Sequence, residues 1–205
     1  MSNYSSEAHQ KPLANETSVT STTTSASGAA TLAPQDDLSK ATAKPPDFDD
    51  FKDFFTNKDN NIKRHMLVFW SGTGIDDPQT FAGRQDRFTL EMIVGTKWKQ
   101  YQTDKAHGGY WKTWYDCVDG FWTPASDALS SVATGDVAVI LSADADYLQQ
   151  QEDPTHATCP TCWYNTEKPN LIHNLLKGSV AGIFKYHTPL PAKYIGKITS
   201  MGDKL

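Results

Sequence analysis

Three tryptophans in this chain each have a carboxylate or a hydroxyl close by in sequence: Trp70 with Glu91, Trp122 with Ser126, and Trp163 with Glu167. An indole offers a flat apolar face to a planar ring, while a carboxylate beside it steadies positive charge or accepts hydrogen bonds. The combination describes the walls of a pocket. Glu91 lies between Phe88-Thr89-Leu90 and Met92-Ile93-Val94, and a lone carboxylate in such company is costly to bury unless it is paired or functional. Glu167 sits in Trp163-Tyr164-Asn165-Thr166-Glu167-Lys168-Pro169, among turn formers, so plain solvent exposure competes with a role in chemistry there.

Other constellations carry less. Gly72-Thr73-Gly74 lacks the third glycine and the following helix of a phosphate loop. Cys159-x-x-Cys162 with His156 is half a zinc site, and only Cys117 or a distant histidine could complete the four ligands, so no metal is expected. Asp144 and Asp146 form a pair of a kind common on surface turns. Neither HExxH nor Gly-x-Ser-x-Gly occurs.

The elements that must position these residues follow from periodicity. Asp47 precedes Phe48, Phe51, Phe54 and Phe55, one apolar face of a short helix ended by Lys58-Asp59-Asn60-Asn61. Met66–Trp70 reads as a buried strand, residues 75–87 as a polar loop or short helix, and Phe88–Val94 as a buried segment that fits either strand or helix. The aromatic stretch Lys97–Tyr115 reads as an irregular layer around a site. Thr123 caps a helix with Pro124 first, Ala125, Leu129 and Val132 inward and Gly135 at its end; Asp136–Leu141 is then a strand. Helix, glycine turn and strand in that order are the grammar of a parallel α/β layer, whose ligands sit beyond the strands' carboxyl ends. After a polar insertion over Tyr147–Thr161 come a turn-rich Trp163–Asn170, a helix over Leu171–Lys177, and strands over Val180–Tyr186 and Tyr194–Ile198.

Composition bounds the rest. Residues 1–46 are dominated by serine and threonine with hardly any large apolar side chain, the signature of a disordered tail, leaving 47–205 as the ordered domain. A net charge of −5, with Lys and Arg scattered, argues against nucleic acid as a partner. No apolar run approaches membrane-spanning length. Three cysteines are too few for a disulfide scaffold, and nothing at the N-terminus reads as a signal or transit peptide, so the cytoplasm is expected rather than secretion.

Four short pieces of the ordered chain resemble the ADP-ribosyl cyclase and cyclic ADP-ribose hydrolase family, which cleaves the nicotinamide–ribose bond of NAD. Met66-Leu67-Val68-Phe69-Trp70-Ser71 is similar to its strand ending in Trp-Ser, and Phe88-Thr89-Leu90-Glu91 to its Phe-Thr-Leu-Glu signature. Phe121-Trp122 with Ser126, running on through Asp136–Leu141, resembles the second tryptophan, helix and strand. Glu167 with Asn170-Leu171 falls where the family has its catalytic glutamate. The sequence departs where Gly72 replaces a basic residue, where Met92 replaces an acid, and in its few cysteines. The resemblance implies an α/β fold, a helical N-terminal part packed on a small parallel sheet, and NAD as substrate with no further cofactor. It implies Glu167 and Glu91 as catalytic residues and Trp70, Ser71, Trp122 and Ser126 as the substrate site, with Ser126 toward a phosphate. It is compatible with a homodimer. A nucleotide-binding relative without activity, and an aromatic-lined binding module for a sugar or peptide, are the alternatives.

Overall fold

The computed structural model describes residues 44–71, 73–142 and 163–203. Residues 1–43 of the Ser/Thr-rich stretch lie outside the described residues, as do the Tyr147–Thr161 insertion and Asp144, Asp146, His156, Cys159 and Cys162.

Helix α1 (Phe48–Thr56) starts at a reciprocal cap. The Asp47 carboxylate accepts from the Asp49 and Asp50 amides while the Asp50 carboxylate accepts from the Asp47 amide, satisfying donors that a helix start otherwise leaves open. Its phenylalanines turn inward as the spacing predicts, with Phe51 and Phe55 buried. One sheet follows, in the order β1 (Val68–Ser71), β2 (Gly135–Leu141), β3 (Val180–His187) and β4 (Lys193–Ile198). The first three strands are parallel, with Trp70 level with Ile140 and Ser71 with Leu141. β4 runs antiparallel to β3, so the sheet is mixed rather than wholly parallel. The connection from β3 to β4 is short, and a parallel return would need a crossover of a dozen residues or more.

Because a strand's side chains alternate between faces, both faces of the inner strands are apolar, and both are covered. Phe69, Val137, Val139, Leu141 and Ile183 pack under α1, under α5 (Thr123–Ser131) and under α6 (Lys168–Leu176). Val68, Ala138 and Ile140 meet Phe81 and Ala82 of α2 (Asp76–Arg84) on the other side. The segment left open between strand and helix divides: Phe88 makes a parallel bridge to Leu67, and Thr89, fully buried, then caps α3 (Leu90–Val94) by accepting from the Met92 amide. Glu91 therefore stands on a helix.

Two π-helical segments complete the frame. Val118–Trp122 continues α4 (Trp114–Cys117) into α5, and Trp163–Glu167 runs straight into α6. The second replaces the expected turn-rich segment and moves the start of its helix from Leu171 to Lys168. Pro169 takes the second position of α6, directly after the π-helical segment, where its fixed φ suits a helix.

Candidate functional site

Each helix that feeds a parallel strand runs antiparallel to it, so its first turn lies beyond that strand's far end. α5 feeds β2 and α6 feeds β3, which puts Trp122, Ser126 and Glu167 on the side of the sheet where β1 ends in Trp70-Ser71. Contacts between β1 and the 163–167 segment, between that segment and α5, and between α3 and α5 close the group.

Two side-chain pairs stand out within it. The Ser126 hydroxyl donates to Glu167 Oε1 at 2.5 Å, and both residues are 5 % exposed. Glu167 is therefore a buried carboxylate held by a hydroxyl, not the exposed turn residue that its neighbours in sequence suggest. In this structure Ser126 faces that carboxylate. The second pair is Trp70, whose indole N–H donates to Glu91 Oε2 at 3.3 Å, with both residues half-buried. Its ring packs on the α2 side while Glu91 stands on a helix of the opposite layer, so Trp70 wraps the edge of the sheet at its carboxyl end.

The remaining candidates divide. Ser71 is buried at the end of β1, next to Trp70. Trp122 precedes Ser126 by four residues on one continuous helical run, a spacing that shares a face. Its N–H donates to the Gln102 carbonyl at 3.3 Å, and its ring stands edge-on to Phe121 with centroids 4.9 Å apart. Trp163 is fully buried in the main core, so it supports the site from beneath and is no part of the pocket wall. Among the described residues no group of histidines, cysteines and acids is arranged to hold a metal ion, and no helix is long and apolar enough to cross a membrane.

What aligns Glu167 with Ser126 is a pair of asparagines, Asn170, which the resemblance places after Glu167, and Asn174, which no sequence motif singles out. Asn170 Nδ2 donates to the Asp127 carboxylate at 2.7 Å and to the Ser130 hydroxyl at 2.9 Å, and Asn174 Nδ2 donates to the carbonyls of Ser130 and Ser131 at 2.9 and 3.0 Å. Standing four apart, the two asparagines lie on one face of α6 and fasten it to α5. That spacing was visible, but asparagine on a helix usually faces water. Lys168, which adjoins Glu167 and is 1 % exposed, was missed for the same reason.

No protein-family model, curated protein or solved structure matches this chain.

Proposed function

We propose that the chain cleaves the bond between nicotinamide and ribose in NAD. The observation that carries this reading is the buried Ser126–Glu167 pair, on the side of the sheet where Trp70 and Glu91 also meet.

The chemistry asks little else of the protein. The C–N bond breaks with its electron pair going to the pyridinium nitrogen, so the leaving group departs neutral and needs no general acid. The ribosyl carbon becomes oxocarbenium-like, and an ionised Glu167 facing it supplies the opposite charge where charge develops. Ser126 fixes the orientation of that carboxylate. Trp70 and Trp122 offer ring faces for the planar ends of the substrate, with stacking worth about 1–3 kcal/mol per ring by analogy with base–aromatic contacts, and Glu91 contacts the nicotinamide amide. Water then attacks the ribosyl carbon and loses a proton, giving ADP-ribose, or a nitrogen of the substrate's own adenine attacks and gives cyclic ADP-ribose. The dryness of the cleft governs the partition.

The test is to incubate the purified chain with NAD, resolve the products by chromatography and run Glu167→Gln alongside. Nicotinamide release by the native chain and its loss by at least about a hundredfold in the variant is the expected result. Binding of NAD with no release would replace the enzyme with an inactive nucleotide-binding relative.

A second reading draws on the aromatic residues that lead into and begin α4. Tyr110, Trp114 and Tyr115 are 49 %, 47 % and 58 % exposed, and Tyr110 is held edge-on between Tyr101 and Trp111. A fixed, exposed aromatic surface beside Lys105 and Lys112 suits a sugar or peptide. Binding of such a ligand that is lost on replacing Tyr110, in a chain indifferent to NAD, would favour it.

A further inference from the structure

Glu167 and Lys168 are consecutive, both charged types and both buried, yet their side chains are held by different parts of the chain. Glu167 reaches Ser126 of α5. Lys168 Nζ donates to the main-chain carbonyls of Met201 at 2.9 Å and of Asp203 at 3.0 Å. Those carbonyls belong to a turn that follows β4 and is itself closed by the Asp203 carboxylate. That carboxylate accepts from the Thr199 and Ser200 amides and from both of their hydroxyls.

Helix stability does not explain the lysine. A positive charge in the N-terminal half of the 163–176 helical run gains nothing from the helix dipole, and burying an ammonium is costly before its bonds offset that. The turn's own closure does not use it, since the Asp203 carboxylate accepts from the Thr199 and Ser200 amides and hydroxyls. What the bond does achieve is mechanical. The peptide between Glu167 and Lys168 is fixed from both sides, through Ser126 on one and through the turn on the other, at the point where the π-helical segment becomes α6.

We propose that Lys168 is a positioning residue, and that its bonds to the Thr199–Asp203 turn hold the end of the 163–167 segment so that Glu167 is presented at a fixed angle. The proposal rests on the reading of Glu167 as the group that faces the ribosyl carbon, but the latch itself can be measured without NAD. Two variants break it from opposite ends. Lys168→Met removes the ammonium and keeps the aliphatic stem, and Asp203→Ala opens the turn without touching the helix.

Amide hydrogen exchange over residues 163–176 is measured in the native chain and in both variants with no NAD present. Exchange at least about tenfold faster in that stretch, with the amides of β2 unchanged, is expected of both. Protection equal to the native chain in Asp203→Ala would overturn the latch, even if Lys168→Met failed to fold. Turnover of NAD gives the second readout. Misplacement of a carboxylate by about an ångström costs on the order of a hundredfold in rate, so kcat should fall by ten- to a hundredfold in both variants while KM stays within about twofold. A rise in KM with kcat retained would overturn the positioning role. A native chain that releases no nicotinamide would sink the proposed function and leave the latch to be decided by exchange alone.

Discussion

The hydroxyl of Ser126 donates to Glu167, and it makes a prediction separable from the loss of the carboxylate itself. Ser126→Ala leaves the acid in place and removes a donor that orients it. A carboxylate deprived of a buried hydrogen bond costs about 1–3 kcal/mol, and the reaction loses alignment, so turnover of NAD should drop by about ten- to a hundredfold while the chain still folds. Steady-state kinetics beside a thermal melt would check it; turnover at the native level would show that Glu167 keeps its alignment without Ser126. The residues of this site were legible as types. Glu91 stood out because an acid interrupted an apolar run, and Trp70 because it closed a strand. Their pairing was not legible, because the Ser126–Glu167 and Trp70–Glu91 bonds join positions 41 and 21 residues apart, and nothing local encodes such a meeting. Lys168 illustrates the opposite failure: a lysine is read as solvated by default, and only the fold shows the two carbonyls that hold it.

Trp122 and Glu167 each end a π-helical segment that runs into an α-helix with proline at its second position. Widening of the helix at such a segment re-aims the residue at its end, and π segments gather at functional sites for that reason. In the first of them, Gly120 leaves room for the Trp111 ring, which a Cβ at that position would overlap. Trp111 is in turn fixed by its N–H donating to the Tyr101 carbonyl at 2.7 Å. Gly120→Ala must therefore push the ring away or unwind the turn, an overpacking that costs about 1–3 kcal/mol. Because Trp122 stands two residues on, affinity for NAD should fall with stability, and denaturant melts with a binding titration would show both; a variant as stable as the native chain would mean that Trp111 yields easily. No sequence pattern announced either segment. The first of the two helices that follow was legible from Pro124 and Gly135 and the second from Gly178 after Lys177, whereas a π turn has no composition of its own and arises from packing. β4 was likewise expected as a strand, but its antiparallel direction followed from the shortness of the link after β3, which the strand's own pattern does not contain.

At the scale of the molecule, the alternation of apolar residues in β1 to β3 fixes two cores, one on each face of the sheet, and Cys117 belongs to neither the chemistry nor the expected metal-free cysteine pair. It is the last residue of α4 and fully buried, with its sulfur donating toward the Tyr101 carbonyl at 3.5 Å. Burial pushes its thiol up from an ordinary 9.0 to about 11, with the Asp104 carboxylate acting in the same direction and Trp122 against it. A thiol whose pKa is raised by folding holds its proton more tightly in the native state than in the unfolded one. Its contribution is therefore whole below pH 9 and is lost as the pH climbs toward about 11, because there the unfolded chain has already released the proton. The slope is at most about 1.4 kcal/mol per pH unit for a single group, a large part of the 5–15 kcal/mol that typically holds a domain together. Lysines and tyrosines titrate in the same range, so the quantity to measure is the difference between the native chain and Cys117→Ala in denaturant melts from pH 8 to 11. The variant starts lower, because a cavity replaces the sulfur, but its stability should decline less steeply, and the two curves should converge as the pH rises. Parallel curves would mean that the thiol ionises as freely in the folded chain as in the unfolded one, and that α4 opens readily enough to let water reach the floor on which Trp111 and Trp122 rest.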